Sequence, residues 1–130
     1  MRLTKNFDRS EFEFSQTADM LGIDNTIPDS VISIVSRTAL NLQILRSHLN
    51  TPVVITSGYR SKKLNEAIGG SKISHHMSGH AVDFIVPGVE VSYLIDVCQK
   101  IWLFDQLINE KDRWVHVSFH SQMRGEVFKL

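Results

Sequence analysis

The hydrophobic pattern of the chain changes at Pro52, and this change constrains the fold more than any other feature. Before Pro52, apolar residues recur at helical spacing, most clearly over Asp29–Leu49, which predicts a long amphipathic helix. After Pro52, short β-branched segments such as residues 53–55 alternate with turns and with one further helix over residues 90–102. N-terminal helices followed by a small, mostly antiparallel sheet and one later helix predict an α+β fold, with residues 1–130 forming one domain.

The finer pattern predicts the boundaries of the other elements. Asp8 or Ser10 is expected to cap a first helix that runs to about Met20, with Phe12 and Phe14 as its packing residues. The polar segment 71–79 is expected to be irregular. The remaining predicted elements are a short helix over residues 62–68, strands over residues 81–86, 104–109 and 114–119, and a short strand near Val127 and Phe128.

Composition and charge exclude several classes of function. Lysine plus arginine and aspartate plus glutamate number 14 each, so the neutral chain offers no electrostatic footprint for nucleic acid. No apolar run is long enough to span a bilayer, so we expect no membrane insertion. The single cysteine, Cys98, cannot form an intrachain disulfide and lies on the apolar face of a predicted helix, where a buried thiol is expected.

The N-terminal segment bears on where the protein is made. Residues 1–14 carry charges throughout and lack the apolar region of a signal peptide. We therefore expect synthesis in the cytoplasm, and a target outside the cell would be reached only after release or delivery by another component. We also expect the protein to be a monomer.

Two predicted strands each carry a polar side chain in the middle of a sheet. Side chains alternate along a strand, so Val82 and Phe84 share an apolar face while Asp83 lies on the other face. By the same alternation, His116 lies on the polar face of strand 114–119. A buried carboxylate without a partner is strongly destabilising, so Asp83 requires a cation or a hydrogen-bond donor. A structural pair with His116 and a shared metal ion both satisfy this requirement.

A third polar candidate, His76, lies in the loop before Asp83. Gly79 allows the backbone to turn sharply, which would fold His76 back over the strand. Two imidazoles and one carboxylate leave a fourth position for water, which is the ligand set of a catalytic zinc site. The spacing alone also allows a cluster of hydrogen-bonded histidines. His76 and His80 have the i, i+4 spacing of a helical zinc site, although Gly79 between them argues against a helix.

Several motifs in the same order resemble those of the zinc D-alanyl-D-alanine carboxypeptidase-like peptidases. That family includes bacterial wall carboxypeptidases and phage endolysins, and the hedgehog signalling domain shares its fold. The similarity spans about residues 50–120, and the segment 7–25 is similar to the phage and prophage branch. The motifs are Ser57-Gly58-Tyr59-Arg60-Ser61, Leu64-Asn65, Ile68-Gly69-Gly70, Ser74-His75-His76, Gly79, Ala81, Asp83 and Trp114-Val115-His116-Val117.

The resemblance implies a hedgehog/D-Ala-D-Ala peptidase-like fold with one zinc ion (Zn2+) per chain. The implied ligands are His76, Asp83 and His116. His75 and His80 occupy variable positions of the motif, so they are not expected to bind this ion. His120 lies four strand residues beyond His116, or about 13 Å at the usual rise, which is too far for it to join the same ion.

The implied hydrolysis also needs a general base that accepts a proton from the attacking water. The loop before Trp114 offers Glu110 and Asp112. Glu110 precedes His116 by six residues, which is similar to the spacing in hedgehog-like members, and we predict that it is the base. Family members with the base three residues before the last histidine would need it at Arg113, so this chain departs from that version.

The Ser-Gly-Tyr-Arg motif is implied to contribute to substrate binding. Arg60 is expected in the cleft, where its guanidinium suits a carboxylate, and Ser57 and Tyr59 are expected to line the same cleft. The implied partner is a peptidoglycan stem peptide, cut at its terminal D-Ala or at its L-Ala–D-Glu bond. The missing signal peptide fits a phage lysis or virion-associated enzyme. The alternative is a zinc-containing binding domain that has lost hydrolysis, and an intact base argues against it.

Overall fold

The chain folds into five helices and one five-stranded sheet, which confirms the predicted α+β class. A computed structural model describes residues 1–130. The helices are α1 (Arg9–Glu13), α2 (Gln16–Leu21), α3 (Asp29–Leu49), α4 (Lys62–Ala67) and α5 (Val91–Ile101). The strands are β1 (Val54–Ser57), β2 (Ala81–Ile85), β3 (Gln106–Glu110), β4 (Trp114–Ser118) and β5 (Glu126–Lys129). None of the helices combines the length and the apolar character that crossing a bilayer requires.

The sheet has the strand order β1-β2-β4-β3-β5, so β2 and β4 are neighbours in its interior. Its pairings are antiparallel except that β5 runs parallel to β3. Asp83 of β2 lies directly opposite His116 of β4. On the other edge of β2, Asp83 lies opposite Ser57 at the end of β1. The register of this pair is irregular between Ile55 and Ser57. The register therefore brings three polar residues from three strands to one line across the sheet.

The hydrophobic core lies between the sheet and the helices α3 and α5. The strand residues Val82, Phe84, Val115 and Val117 are fully buried, as the alternation along the strands predicts. The helices contribute Val35, Ala39, Leu42, Leu45, Leu94, Ile95 and Cys98. Burial raises the pKa of the Cys98 thiol to about 12, so this residue is an unreactive part of the core, as expected.

The loop between α4 and β2 carries three histidines and is held against α3. The hydroxyl of Thr38 donates to the carbonyl oxygen of Gly79 at 2.8 Å. Gly79 has a φ of +83°, and a Cβ at this position would lie 2.8 Å from a methyl carbon of Val35. Any larger residue would therefore be strained and would push the loop away from the helix.

The structure corrects the predicted N-terminal helix, which is two short helices rather than one. Phe14 has an extended conformation with a ψ of 131°, and the side chain of Ser15 then caps α2. Asp8 caps α1, and Phe12 is buried, as predicted. Phe14 is 66% exposed, so its prediction as a packing residue is wrong. The other predicted elements are present, with small differences at their ends.

Candidate functional site

A polar groove lies against β2, β3 and β4 and gathers most of the predicted site residues. It has a volume of about 710 Å³, and among its 14 lining residues only Ile73 and Trp114 are hydrophobic. Such a lining suits a hydrated or charged ligand rather than an apolar one. The lining includes five residues that the sequence predicted: Arg60, His76, Asp83, Glu110 and His116.

The three predicted metal ligands converge at one point of the groove. Nδ1 of His116 lies 2.8 Å from Oδ1 of Asp83, and Nε2 of His76 lies 3.4 Å from the same oxygen. The centroids of the two imidazole rings are 5.2 Å apart. One ligand atom from each residue lies within 4.8 Å of the other two, and we call these residues the first cluster.

A backbone carbonyl orients the ring of His76. Its Nδ1 lies 2.7 Å from the carbonyl oxygen of Gly58, so Nδ1 donates to that oxygen and Nε2 is directed at Asp83. Gly58 itself lies so close to α1 that a Cβ there would come within 2.6 Å of the Phe12 carbonyl oxygen. The glycine of the Ser-Gly-Tyr-Arg motif is thus required by packing, and its carbonyl serves the site.

The types of donor atom in the first cluster fit a zinc ion. Two imidazole nitrogens and one carboxylate oxygen are typical of catalytic zinc sites, which keep a further position for water or substrate. Zinc–ligand bonds of about 2.0–2.1 Å in a tetrahedral site put the ligand atoms about 3.3–3.4 Å apart. His76 Nε2 and Asp83 Oδ1 already have this separation, at 3.4 Å, whereas His116 Nδ1 and Asp83 Oδ1 are at hydrogen-bond distance, 2.8 Å, and would move apart to hold an ion. A hydrogen bond at the remote ring nitrogen, such as that of His76, usually accompanies a metal-bound histidine.

Asp83 is ionised although only 10% of its side chain is exposed. Burial by itself raises the pKa of the carboxyl group. Hydrogen bonds and charges from His116 and His76 outweigh burial and hold the pKa of Asp83 well below its usual range. The carboxylate is therefore available as an anionic ligand at neutral pH.

Arg60 lies beside Asp83 at the edge of the groove. Its Nη2 is 3.6 Å from Oδ2 of Asp83, and its Nε donates to Oγ of Ser57 at 3.2 Å. Nη1 donates to Oδ1 of Asn65 at 3.4 Å. Burial lowers the pKa of Arg60 while Asp83 opposes that change, and the guanidinium remains charged. Since all three contacts are long, the guanidinium retains donor capacity for a ligand.

Tyr59 does not line the cleft, which corrects our expectation. Its side chain is buried in the hydrophobic core, and burial is the main reason that the pKa of its hydroxyl is raised. The backbone N–H of Tyr59 donates to the carbonyl oxygen of Phe12 at 2.8 Å. The chain has left β1 at this point, so the alternation of a strand no longer indicates which way a side chain faces.

The two candidate bases have different surroundings. Glu110 ends β3, lies opposite Trp114 in the register and lines the groove together with His116. Asp112 lies in the turn between β3 and β4, where its φ is +58°. Its carboxylate accepts hydrogen bonds from Lys129 and Asn109, and these bonds lower its pKa. Asp112 is therefore engaged outside the groove.

The indole of Trp114 is a feature of the groove for which the sequence predicted no role. Its Nε1 is buried and has no hydrogen-bond partner in the protein, although the residue lines the groove. A buried donor without a partner is uncommon in folded proteins. The Trp-x-His motif carried this residue, but nothing in the sequence indicated that its N–H is unpaired.

A second group of potential metal ligands was also missed, and two of its members, His75 and His120, line the same groove. His75, Asp105 and His120 each offer a ligand atom within 4.8 Å of the others, and we call them the second cluster. Neither histidine belongs to the first cluster, as expected for His75 from its variable position in the motif and for His120 from strand spacing. The sequence did indicate one member of the cluster. Asp105 is a carboxylate in an apolar segment, so, like Asp83, it requires a cation or a hydrogen-bond donor.

Comparison with known proteins assigns the family. Residues 5–118 match the peptidase M15 family, a range that contains the whole first cluster, Arg60 and Glu110 but ends before His120. No curated protein matches the chain. Because the match covers most of the sequence, the chain belongs to the peptidase M15 family, which makes it a hydrolase of the metallopeptidase class.

Proposed function

We propose that the protein is a zinc metallopeptidase that hydrolyses peptidoglycan stem peptides. The observation that carries the proposal is the convergence of His76 Nε2, Asp83 Oδ1 and His116 Nδ1 in a polar groove of an M15 family member. The bond cut is a terminal D-Ala-D-Ala bond or an L-Ala–D-Glu bond. The proposal includes a monomer with one zinc ion, acting on the cell wall after release, as a phage lysis or virion-associated enzyme does.

In this proposal the first cluster holds the metal ion and Glu110 transfers the proton. A zinc ion held by His76, Asp83 and His116 would supply Lewis acidity to the scissile carbonyl and to a water molecule. The Glu110 carboxylate accepts the proton that the attacking water loses and returns it to the nitrogen of the leaving group. Its position on the groove wall supports Glu110 over Asp112, whose carboxylate is held by Lys129.

The polarity of the groove supports a stem peptide as the substrate. Such peptides carry free carboxylates at D-Glu and at the terminal D-Ala, and a guanidinium binds a carboxylate with two parallel hydrogen bonds. Arg60 is the cation nearest the first cluster, with its Nη2 3.6 Å from Asp83. In the proposal Arg60 holds a substrate carboxylate, and Ser57 keeps the guanidinium in place through its bond to Nε.

The proposal is tested by measuring zinc and activity on the same preparation. Purified protein is analysed for metal and incubated with peptidoglycan of several wall chemotypes, and the released fragments are identified by mass spectrometry. We expect about one zinc per chain and fragments from a single type of cleavage, which names the bond. Asp83→Ala is the control and should lack both zinc and activity. Zinc without cleavage of any wall type would favour the binding-domain alternative.

A further inference from the structure

We propose that His75, His120 and Asp105 form a second binding site for a divalent transition-metal ion, separate from the first cluster. One ligand atom from each residue lies within 4.8 Å of the other two, and Nδ1 of His75 lies 3.7 Å from Oδ2 of Asp105. The rings of His75 and His120 are stacked with their centroids 4.3 Å apart. The inference goes beyond the proposed function, because it concerns residues to which that function assigns no role.

Backbone contacts hold the second cluster together. The carbonyl oxygen of His75 accepts hydrogen bonds from the amides of His80 and Ala81, which anchors the loop to the start of β2. The amide of Asp105 donates to the carbonyl oxygen of Ser118 at 2.7 Å, and Oγ of Ser118 lies 2.8 Å from Nδ1 of His75. The three ligands therefore come from segments whose relative positions are set by the sheet, which lowers the entropic cost of binding an ion.

The donor chemistry selects the class of ion. Imidazole nitrogens suit zinc, copper, nickel and cobalt, whereas magnesium and calcium prefer sites built from oxygen ligands alone. A third imidazole, that of His80, has its centroid 5.1 Å from that of His120 and adds to the nitrogen-rich surroundings. Burial, His120 and Arg37 lower the pKa of His80, so this ring adds no positive charge beside the cluster at neutral pH.

The ring stack predicts a movement on binding. The planes of His75 and His120 differ by only 5°, and the lone pairs of two parallel rings do not converge on one ion. One ring must therefore rotate. His120 follows the end of β4, and its Nδ1 accepts only a 3.2 Å hydrogen bond from the amide of Gln122, so its ring is the freer of the two.

Charge makes the second site weaker than the first. Asp105 is fully buried, but Arg124 neutralises it through Nε at 2.9 Å and Nη2 at 2.8 Å. An ion at the second cluster must share this carboxylate with a resident guanidinium. We therefore expect zinc to fill the first cluster before the second.

The test is a calorimetric titration of metal-free protein with zinc chloride. We expect the wild type to bind two equivalents, with the second at least about tenfold weaker than the first because Asp105 is already paired. His120→Phe keeps the ring stack but has no nitrogen ligand, and it should bind one equivalent. His48→Ala, which removes an exposed histidine at the end of α3, is the matched control and should bind two.

Two further measurements keep this test separate from that of the proposed function. His116→Ala, which damages the first cluster, should still bind the weaker equivalent. Anomalous diffraction at the zinc edge from zinc-soaked crystals should show a peak within bonding distance of His75 and His120. A single equivalent in the wild type, two equivalents in His120→Phe, or no anomalous peak beside these rings would overturn the proposal.

Discussion

The two clusters contain the same residue types, two histidines and one aspartate, but their carboxylates have different partners. In the first cluster, Asp83 faces two imidazoles at 2.8 and 3.4 Å, and the nearest guanidinium is 3.6 Å away. In the second cluster, Asp105 receives two short hydrogen bonds from the side chain of Arg124, while His75 is 3.7 Å away. The carboxylate is thus open to a cation in one cluster and already neutralised in the other.

The comparison shows that residue type alone does not define a metal site. A buried carboxylate must be neutralised, and the choice between an arginine and a metal ion decides what the cluster can do. Arg60 approaches Asp83 but also contacts Ser57 and Asn65, so it does not saturate the carboxylate.

The largest effect is expected from the ligands of the first cluster. His76→Ala, Asp83→Ala and His116→Ala should each lose the tightly bound zinc and all detectable hydrolysis, because a three-ligand site does not survive the loss of one ligand. Elemental analysis after dialysis measures the zinc. His80→Ala and His120→Ala are the controls and should retain about one zinc per chain. Loss of this zinc in His120→Ala would remove the distinction between the clusters.

The next effect concerns Glu110 beside the first cluster. Glu110→Gln keeps the size of the side chain but cannot accept a proton, so turnover should fall at least about a hundredfold while zinc content stays unchanged. Asp112→Asn is the matched control and should stay within a few fold of the wild type, because its carboxylate is held by Lys129. The opposite pattern would identify Asp112 as the base and contradict the assignment of Glu110.

A smaller effect is expected at Arg60, the counterpart of Arg124 in the comparison. Arg60→Lys keeps the charge but loses the planar fork, so kcat/KM should fall roughly tenfold, with zinc content and Tm unchanged. Arg46→Lys, on α3, makes the same chemical change elsewhere and should have no effect. Wild-type kcat/KM in Arg60→Lys would show that this guanidinium does not hold the substrate.

The smallest effect on activity is expected at Arg124. Arg124→Gln leaves Asp105 buried without its cation, so the free energy of unfolding should fall in metal-free protein while activity barely changes. Added zinc should recover part of this loss, because the unpaired charge of Asp105 now favours an ion at the second cluster. Denaturant titrations with and without zinc measure both changes. Equal stability of the variant and the wild type would show that Arg124 is not needed to neutralise Asp105.

Much of the fold follows from local patterns. Helix α3 has the predicted bounds because its apolar spacing is continuous from Asp29 to Leu49. Side-chain alternation along β2 and β4 predicts their two faces correctly. It places Asp83 and His116 on the face of the sheet that their apolar neighbours in sequence do not share. The break between α1 and α2 was not predicted. It depends on the extended backbone of Phe14, which ends α1 and lets the side chain of Ser15 cap α2. Phenylalanine and serine are also found inside helices, so neither residue type indicates a break.

The sequence by itself determined the α+β class and the candidate ligands His76, Asp83 and His116. Helical and strand periodicities are local properties, and the linked motifs supply the order of the ligands. Only the tertiary structure decided that Tyr59 enters the core and that His75, Asp105 and His120 meet. The second cluster joins residues from the loop before β2, the segment after β4 and the segment before β3, which are distant in sequence. Such contacts depend on strand order and register, and no local pattern of side chains encodes those.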